Sequence, residues 1–128
     1  MLATIAHQAR DWCRHIGVEL ALVAPVRLGQ PVTLIVVAIG DRASVSVPPA
    51  TVFRAALCCG ADAVVVVHNH PSGSDVSESD RACTRRLVAA GAMLDIPLAG
   101  HLVLVRQGWI DCVRESRPVR PWADADAA

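Results

Sequence analysis

Four valines in succession, Val64 to Val67, constrain the fold of this 128-residue chain more than any other stretch. An unbroken run of β-branched residues is typical of a strand buried on both faces, because a half-exposed strand alternates apolar and polar residues. Polar residues follow at once, in the order His-Asn-His-Pro-Ser-Gly from His68 to Gly73. The pattern therefore predicts a central strand that ends abruptly in a polar turn.

Two histidines lie one residue apart at the end of this strand. Residues i and i+2 of a strand project from the same face, so His68 and His70 can direct both imidazoles at one point. Asp80, at the start of the next predicted helix, would add a carboxylate. Two neutral imidazoles, one carboxylate and an open fourth position describe a catalytic zinc site. Asp75 and Glu78 are alternative acids for the third ligand.

Asp80 also has an explanation that needs no metal. Ser77 is a candidate N-cap, and an acid three residues later resembles the pattern of a capping box. The two roles point in different directions, because a capping carboxylate reaches back to a backbone N–H whereas a ligand reaches across to the histidines. The sequence leaves both roles open.

Composition excludes several classes of protein. The formal net charge is zero, so no overall field favours nucleic acid or an anionic membrane. The five cysteines are scattered, which predicts reduced thiols in a cytoplasmic protein rather than a disulfide framework. The first residues lack the pattern of a signal peptide, and no apolar run approaches the roughly 20 residues that span a bilayer.

The whole pattern predicts an α/β (α+β) domain over residues 1–114, with a Pro- and Ala-rich disordered tail over residues 115–128. The first three strands would form an antiparallel meander. The helix and buried strand that follow resemble an α/β unit, so the sheet is expected to be mixed. Helices are predicted at 2–15, 51–59 and from Ser77 to about Ala90, ending at Gly91. Strands are predicted at 18–26, 32–39, 43–47, 63–67, 101–105 and 109–113.

The string HNHPSG, followed by Ser77-x-x-Asp80, resembles the JAMM (JAB/MPN) metalloprotease motif in the form carried by RadC-like proteins. The resemblance covers roughly residues 17–114. It implies the JAB/MPN fold, a cytidine-deaminase-like mixed β-sheet flanked by helices. The letters His-Asn-His do not indicate an HNH nuclease, whose three residues are scattered along a ββα-metal fold.

The resemblance implies a role for each matching residue. His68, His70 and Asp80 would bind zinc, and Ser77 would help to stabilise the oxyanion. Glu19 would be the general base, and it is the only acid among residues 12–40. The implied function is zinc-dependent hydrolysis of an amide or isopeptide bond in a protein or peptide. His101 is either a structural histidine or a residue that supports a metal ligand.

Some features depart from the family and leave alternatives open. The loop before Ser77 is one residue shorter than usual, although Asp80 should still reach the histidines. The alternative function is a non-catalytic, metal-containing binding module associated with DNA repair or mobile-element processing, and a small α/β domain without metal is a third. Aromatic and basic residues do not interleave, which argues against direct nucleic-acid binding. Exposed edge strands favour a homodimer.

Overall fold

The computed structural model describes residues 1–40, 47–73, 75–114 and 119–122. Within these ranges the chain forms three α-helices and a sheet of seven strands, and none of the helices has the length and apolar character needed to traverse a bilayer. The helices are α1 (Leu2–Cys13), α2 (Pro49–Cys58) and α3 (Glu78–Leu94). The strands are β1 (Leu20–Arg27), β2 (Gln30–Pro31), β3 (Ile35–Ile39), β4 (Ala63–Asn69), β5 (Leu98–Leu104), β6 (Gly108–Asp111) and β7 (Arg120–Pro121).

The strand order places β4 inside the sheet. β1 lies antiparallel on one side of β4, and β5 lies parallel on the other side. β2 and β3 pair antiparallel with β1, while β6 and β7 extend the sheet beyond β5. The sheet is therefore mixed and the fold is α/β, which confirms the predicted fold class.

Helices cover the sheet on both faces. α1 packs on one face, where Val65 and Val67 join its core cluster. α2 and α3 pack on the opposite face, where Val64 and Val66 lie. All four valine side chains are fully buried, so the central strand is apolar on both faces as predicted.

The predicted strand at 32–39 is interrupted. β2 ends at Pro31 and β3 begins at Ile35, and both pair with β1. Residues 32–34 therefore belong to neither strand. Pro31 has no N–H to donate to the ladder, and the register of β1 against β3 shifts between Ala21 and Leu22. The predicted strand at 43–47 falls almost wholly outside the described residues.

Residues 119–122 depart from the predicted disordered tail. β7 pairs with β6, and the indole N–H of Trp122 donates to the carbonyl oxygen of Val105 at 3.2 Å. The guanidinium of Arg10 lies 4.4 Å from the centre of the Trp122 ring. These contacts come from elements distant in sequence, so the composition of the tail does not reveal them. The rest of the predicted tail lies outside the described residues, and the domain boundary at 114 stays a prediction.

The third helix is longer than predicted. It passes through Gly91 and ends at Leu94, and Asp95 follows in the left-handed conformation with its N–H donating to the Gly91 carbonyl. A Cβ atom at Gly91 would lie 2.6 Å from the carbonyl oxygen of Ile96 and 3.2 Å from the ring of Phe53. Glycine at this position therefore permits close packing and does not terminate the helix.

We expect Gly91→Ala to destabilise the protein by about 1–3 kcal/mol, because the added methyl group overpacks a buried contact. Alanine ordinarily favours a helix over glycine by about 1 kcal/mol, so the sign of the effect is informative. Urea unfolding measures the change. The control is Ala92→Gly at the exposed neighbouring position, which should cost about 1 kcal/mol. An unchanged or raised unfolding midpoint in Gly91→Ala would contradict the packing role.

Candidate metal centre

The end of β4 and the start of α3 bring three polar side chains together. His68 is the penultimate residue of β4, and His70 follows directly after the strand. Nε2 of His68 lies 2.9 Å from Oδ1 of Asp80, and Nε2 of His70 lies 3.4 Å from Oδ2 of Asp80. The two Nε2 atoms are 3.2 Å apart. The side chains that the sequence places near one another thus converge on one point.

The spacing of these atoms suits a tetrahedral ion. Ligands held roughly 2.0–2.1 Å from an ion at tetrahedral angles lie about 3.3 Å apart. The two Nε2 atoms are 3.2 Å apart, close to that value, and the Asp80 carboxylate approaches them with Oδ1 at 2.9 Å from His68 and Oδ2 at 3.4 Å from His70. Among the described residues, this is the single group of three or more His, Cys, Asp or Glu residues whose ligand atoms all lie within 4.8 Å of one another.

The capping role and the ligand role of Asp80 coexist. Oδ2 accepts a hydrogen bond from the N–H of Ser77 at 2.7 Å, and the N–H of Asp80 donates to Oγ of Ser77 at 3.1 Å. Oδ1 faces His68 at the same time. A carboxylate has two oxygens with about four lone-pair sites, so the two directions are compatible. One side chain therefore both begins α3 and closes the site.

Buried hydrogen bonds support His68 on the side away from Asp80. Nδ1 of His68 lies 3.0 Å from Nε2 of His101, and Nδ1 of His101 lies 2.6 Å from Oγ1 of Thr84. Oγ1 of Thr84 donates to the backbone carbonyl of Asp80 at 2.9 Å. The backbone N–H of His101 is itself held by Oδ1 of Asp111 at 3.1 Å. The contacts thus run from His68 through His101 and Thr84 to Asp80, whose carboxylate faces His68.

These contacts are compatible with one arrangement of protons in which every group has a partner. When the hydroxyl proton of Thr84 goes to the carbonyl of Asp80, Oγ1 accepts from Nδ1–H of His101. Nε2 of a neutral His101 then has no proton and accepts from Nδ1–H of His68. In that arrangement a neutral His68 would direct a lone pair of Nε2 at the Asp80 carboxylate, 2.9 Å away, whereas a protonated His68 would donate a hydrogen bond to it. Two acceptors at this distance require a proton or a metal ion between them.

The protonation states of the site suit a cation. Burial, followed by the neighbouring His68 ring, lowers the pKa of His101 to about 3, so this ring is neutral near pH 7. Burial by itself raises the pKa of Asp80, but hydrogen bonds from His68, His70 and the Ser77 backbone outweigh it. They hold the pKa of Asp80 well below its usual range. Neutral imidazole and ionised carboxylate are the forms that bind metal ions.

Glu19 is buried directly before β1, and the alternation of β1 would place it on the face of the sheet that carries the histidines. β1 and β4 pair through Ala21 and His68, and alternate residues of paired strands share a face, which also presents His70. The carboxylate of Glu19 does not belong to the group of ligand atoms within 4.8 Å of one another. Its role as a general base stays a prediction.

Asn69, between the two histidines, secures the backbone around Glu19. Its Oδ1 accepts from the N–H of Leu20 at 2.6 Å, and its Nδ2 donates to the carbonyl of Val18 at 3.2 Å. The buried amide therefore holds the chain on both sides of Glu19. The sequence analysis missed this role, although a polar residue between two candidate ligands is a signal that could have found it.

The other residues singled out in the sequence lie around the site. Ser77 is exposed, and its hydroxyl accepts from the backbone of Asp80 and keeps its own proton to donate. Asp75 accepts from a neighbouring backbone N–H at 2.7 Å, and Glu78 pairs with Arg85 at 3.0 Å on the surface. Of the acids considered for the third ligand, Asp80 is therefore the one that meets the histidines.

We expect Thr84→Val to weaken zinc binding by about 10- to 100-fold, because residues that orient a metal-bound histidine contribute about that much. Valine has the shape of threonine but can neither accept from His101 nor donate to Asp80. Thr84→Ser keeps the hydroxyl and should restore affinity. Competition with a chromophoric chelator measures zinc affinity, and nitrogen-15 shifts of the His68 ring report its tautomer.

Thr51→Val, the same substitution in α2, is the matched control and should bind zinc like the original protein. Affinity in Thr84→Val within twofold of the original, with an unchanged His68 tautomer, would show that the hydroxyl does not orient the site.

Similarity to known proteins indicates the family of this chain. The profile of the RadC-like JAB domain matches residues 27–116. The UPF0758 protein of Thermotoga maritima is 45% identical over 62 residues, which cover 48% of this chain and 28% of that protein. The UPF0758 protein of Chlorobium phaeovibrioides is 39% identical over 74 residues, covering 57% of this chain and 33% of that protein. The chain matches about a third of the length of these relatives.

The matched segment contains the three convergent residues together with Thr84 and His101, and it begins after Glu19. The assignment of a role to Glu19 therefore rests on its place in the fold. Since the match covers well over half of the chain and includes the motif that the sequence analysis singled out, this protein belongs to the RadC-like JAB domain family.

Proposed function

We propose that this domain is a zinc-dependent hydrolase that cleaves an amide or isopeptide bond in a protein or peptide. One observation supports the proposal above all. Nε2 of His68 lies 2.9 Å from Oδ1 of Asp80 and 3.2 Å from Nε2 of His70, so three potential ligand groups meet at one point. Two imidazoles and one carboxylate, with a fourth position left for water or substrate, are the ligand set of catalytic zinc sites.

The side chains of this domain would divide the chemistry among them. A zinc ion held by the two histidines and Asp80 would supply Lewis acidity and lower the pKa of a nearby water toward about 7. Glu19 accepts a proton from that water and later delivers it to the leaving nitrogen. Ser77 donates its hydroxyl proton to the negative charge that develops on the substrate carbonyl oxygen.

The ligand types and their spacing support zinc over other ions. Nitrogen ligands with one carboxylate, at near-tetrahedral separations, suit zinc, whereas magnesium and calcium prefer all-oxygen sites.

The five cysteines are free, and burial raises the pKa of Cys13 to about 11. Free thiols suit a reducing compartment such as the cytoplasm. A homodimer built on the sheet edges stays a prediction.

The test is a chelator-sensitive peptidase activity in protein purified without a histidine tag. We expect about one zinc ion per chain, and loss of activity on metal removal that added zinc reverses. Glu19→Gln should lower kcat by about 10²- to 10⁴-fold, the usual contribution of a general base. It should leave the zinc content unchanged, because Glu19 is not in the coordinating group.

Glu78→Gln is the matched control, since this glutamate lies on the exposed surface at the start of α3 and pairs with Arg85. It should keep full activity. Full activity in Glu19→Gln would remove Glu19 from the mechanism. Stoichiometric zinc without hydrolysis of any peptide in a diverse library would instead favour the non-catalytic binding module.

A further inference from the structure

The pairing of β1 with β4 ends before it reaches Glu19. Its last pair is Ala21 with His68, and continuing the register would set Glu19 opposite His70. On the other side of β4 the backbone of His70 is held, because its N–H donates to the carbonyl of Leu104 on β5 at 2.8 Å. The end of the strand that carries the histidines is therefore anchored, and the segment that carries Glu19 is joined to it by something other than backbone pairing.

The side-chain amide of Asn69 makes that connection. Asn69 is 5% exposed, and in the continued register it lies opposite Leu20, the first residue of β1. Its Oδ1 accepts from the N–H of Leu20 at 2.6 Å, and its Nδ2 donates to the carbonyl of Val18 at 3.2 Å. A carboxamide offers both a donor and an acceptor, as a peptide group does. The amide therefore continues the ladder by side-chain bonds beyond the point where backbone pairing ends.

Asn69 reaches the backbone around Glu19 from the face of the sheet opposite His68. The odd-numbered valines of β4 pack on the face that carries α1. Because successive residues of a strand project to opposite faces, Asn69 belongs to that face and His68 to the face of α3. The amide therefore holds the backbone without entering the space between His68 and Asp80.

The backbone of Glu19 is held on its other side as well. The N–H of Gly40, directly after β3, donates to the carbonyl of Glu19 at 2.9 Å. That bond joins Glu19 to a strand that carries none of the candidate ligands, whereas Asn69 joins it to the strand that carries His68. Glu19 is buried, and buried side chains keep to few rotamers, so its carboxylate follows its backbone.

We propose that Asn69 is a positioning residue that sets the place of the Glu19 carboxylate relative to the metal centre. The proposal rests on the proposed hydrolase function, in which Glu19 is the general base. Displacing a catalytic group by about 1 Å can lower the rate about 10²-fold, because proton transfer requires hydrogen-bond contact. Asn69 thus contributes to turnover through Glu19, without touching substrate or metal.

The first measurement is hydrogen exchange in metal-free protein, which requires no turnover. Asn69 is the one asparagine in the chain, so labelling asparagine with nitrogen-15 gives a single side-chain amide signal. One of its two protons should exchange slowly, because it is donated to Val18. In Asn69→Ala the N–H of Leu20 should exchange about tenfold faster than in the original protein, since it loses its buried acceptor.

The second measurement compares the kinetics of four zinc-loaded proteins, which are the original, Asn69→Ala, Glu19→Gln and the double variant. Asn69→Ala should lower kcat about 10²-fold with little change in KM or zinc content. In the Glu19→Gln background the same change should alter kcat by less than about twofold, because a residue that acts through a carboxylate has no further effect once it is gone. A residue that merely stabilises the fold would lower kcat equally in both backgrounds.

Gln30→Ala is the matched control, since it removes an exposed amide from β2, which pairs with the other end of β1. It should keep the kcat and the Leu20 exchange rate of the original protein. Asn69→Thr has a side chain that suits a strand but is too short to bond both backbone atoms. It should behave like Asn69→Ala, and it replaces that variant if the alanine protein does not fold.

Unchanged exchange at Leu20, loss of zinc together with kcat, or equal losses of kcat in both backgrounds would overturn the proposal. If the original protein hydrolyses nothing, the hydrolase function fails by itself. Faster exchange at Leu20 would then still support the hold of Asn69 on this segment, and unchanged exchange would still overturn it.

Discussion

The carboxylate of Asp80 is the group on which the candidate metal centre depends. Its two oxygens meet the backbone N–H of Ser77 and the imidazoles of His68 and His70. An acid in the first turn of a helix stabilises that helix through the cap and the helix dipole. The residue that begins α3 is therefore also the residue that brings the candidate third ligand to the end of β4.

Burying polar side chains in an apolar sheet is unfavourable unless each of them has a hydrogen-bond partner. Leaving a buried donor or acceptor unpaired costs about 1–3 kcal/mol, yet no buried side-chain nitrogen or oxygen lacks a partner among the described residues. His101 and Thr84 satisfy the far side of His68, and Asn69 satisfies the backbone on either side of Glu19. These partners hold the ring of His68 and the backbone around Glu19 in place.

Several features of the fold could be predicted because they depend on residues close in sequence. The valine run, the histidine pair and the capping box each depend on spacings of two to four residues. The predictions that failed concern residues whose contact partners lie far away in the sequence. Gly91 lies inside α3 because Ile96 and Phe53 pack against its bare Cα, and nothing in the helix itself signals that contact. Trp122 is ordered by Val105 and Arg10, which lie on other elements.

The sequence by itself determined that His68 and His70 share a face and that Asp80 begins a helix, since strand and helix periodicity fix such relations locally. It also determined the apolar centre of the sheet and the family resemblance that the profile match confirms. Only the tertiary structure decided that Asp80 can cap α3 and face the histidines at once, and that His101 and Thr84 lie within hydrogen-bond distance behind His68. These relations join residues from separate strands and helices, and their distances follow from how the elements pack and not from their spacing along the chain.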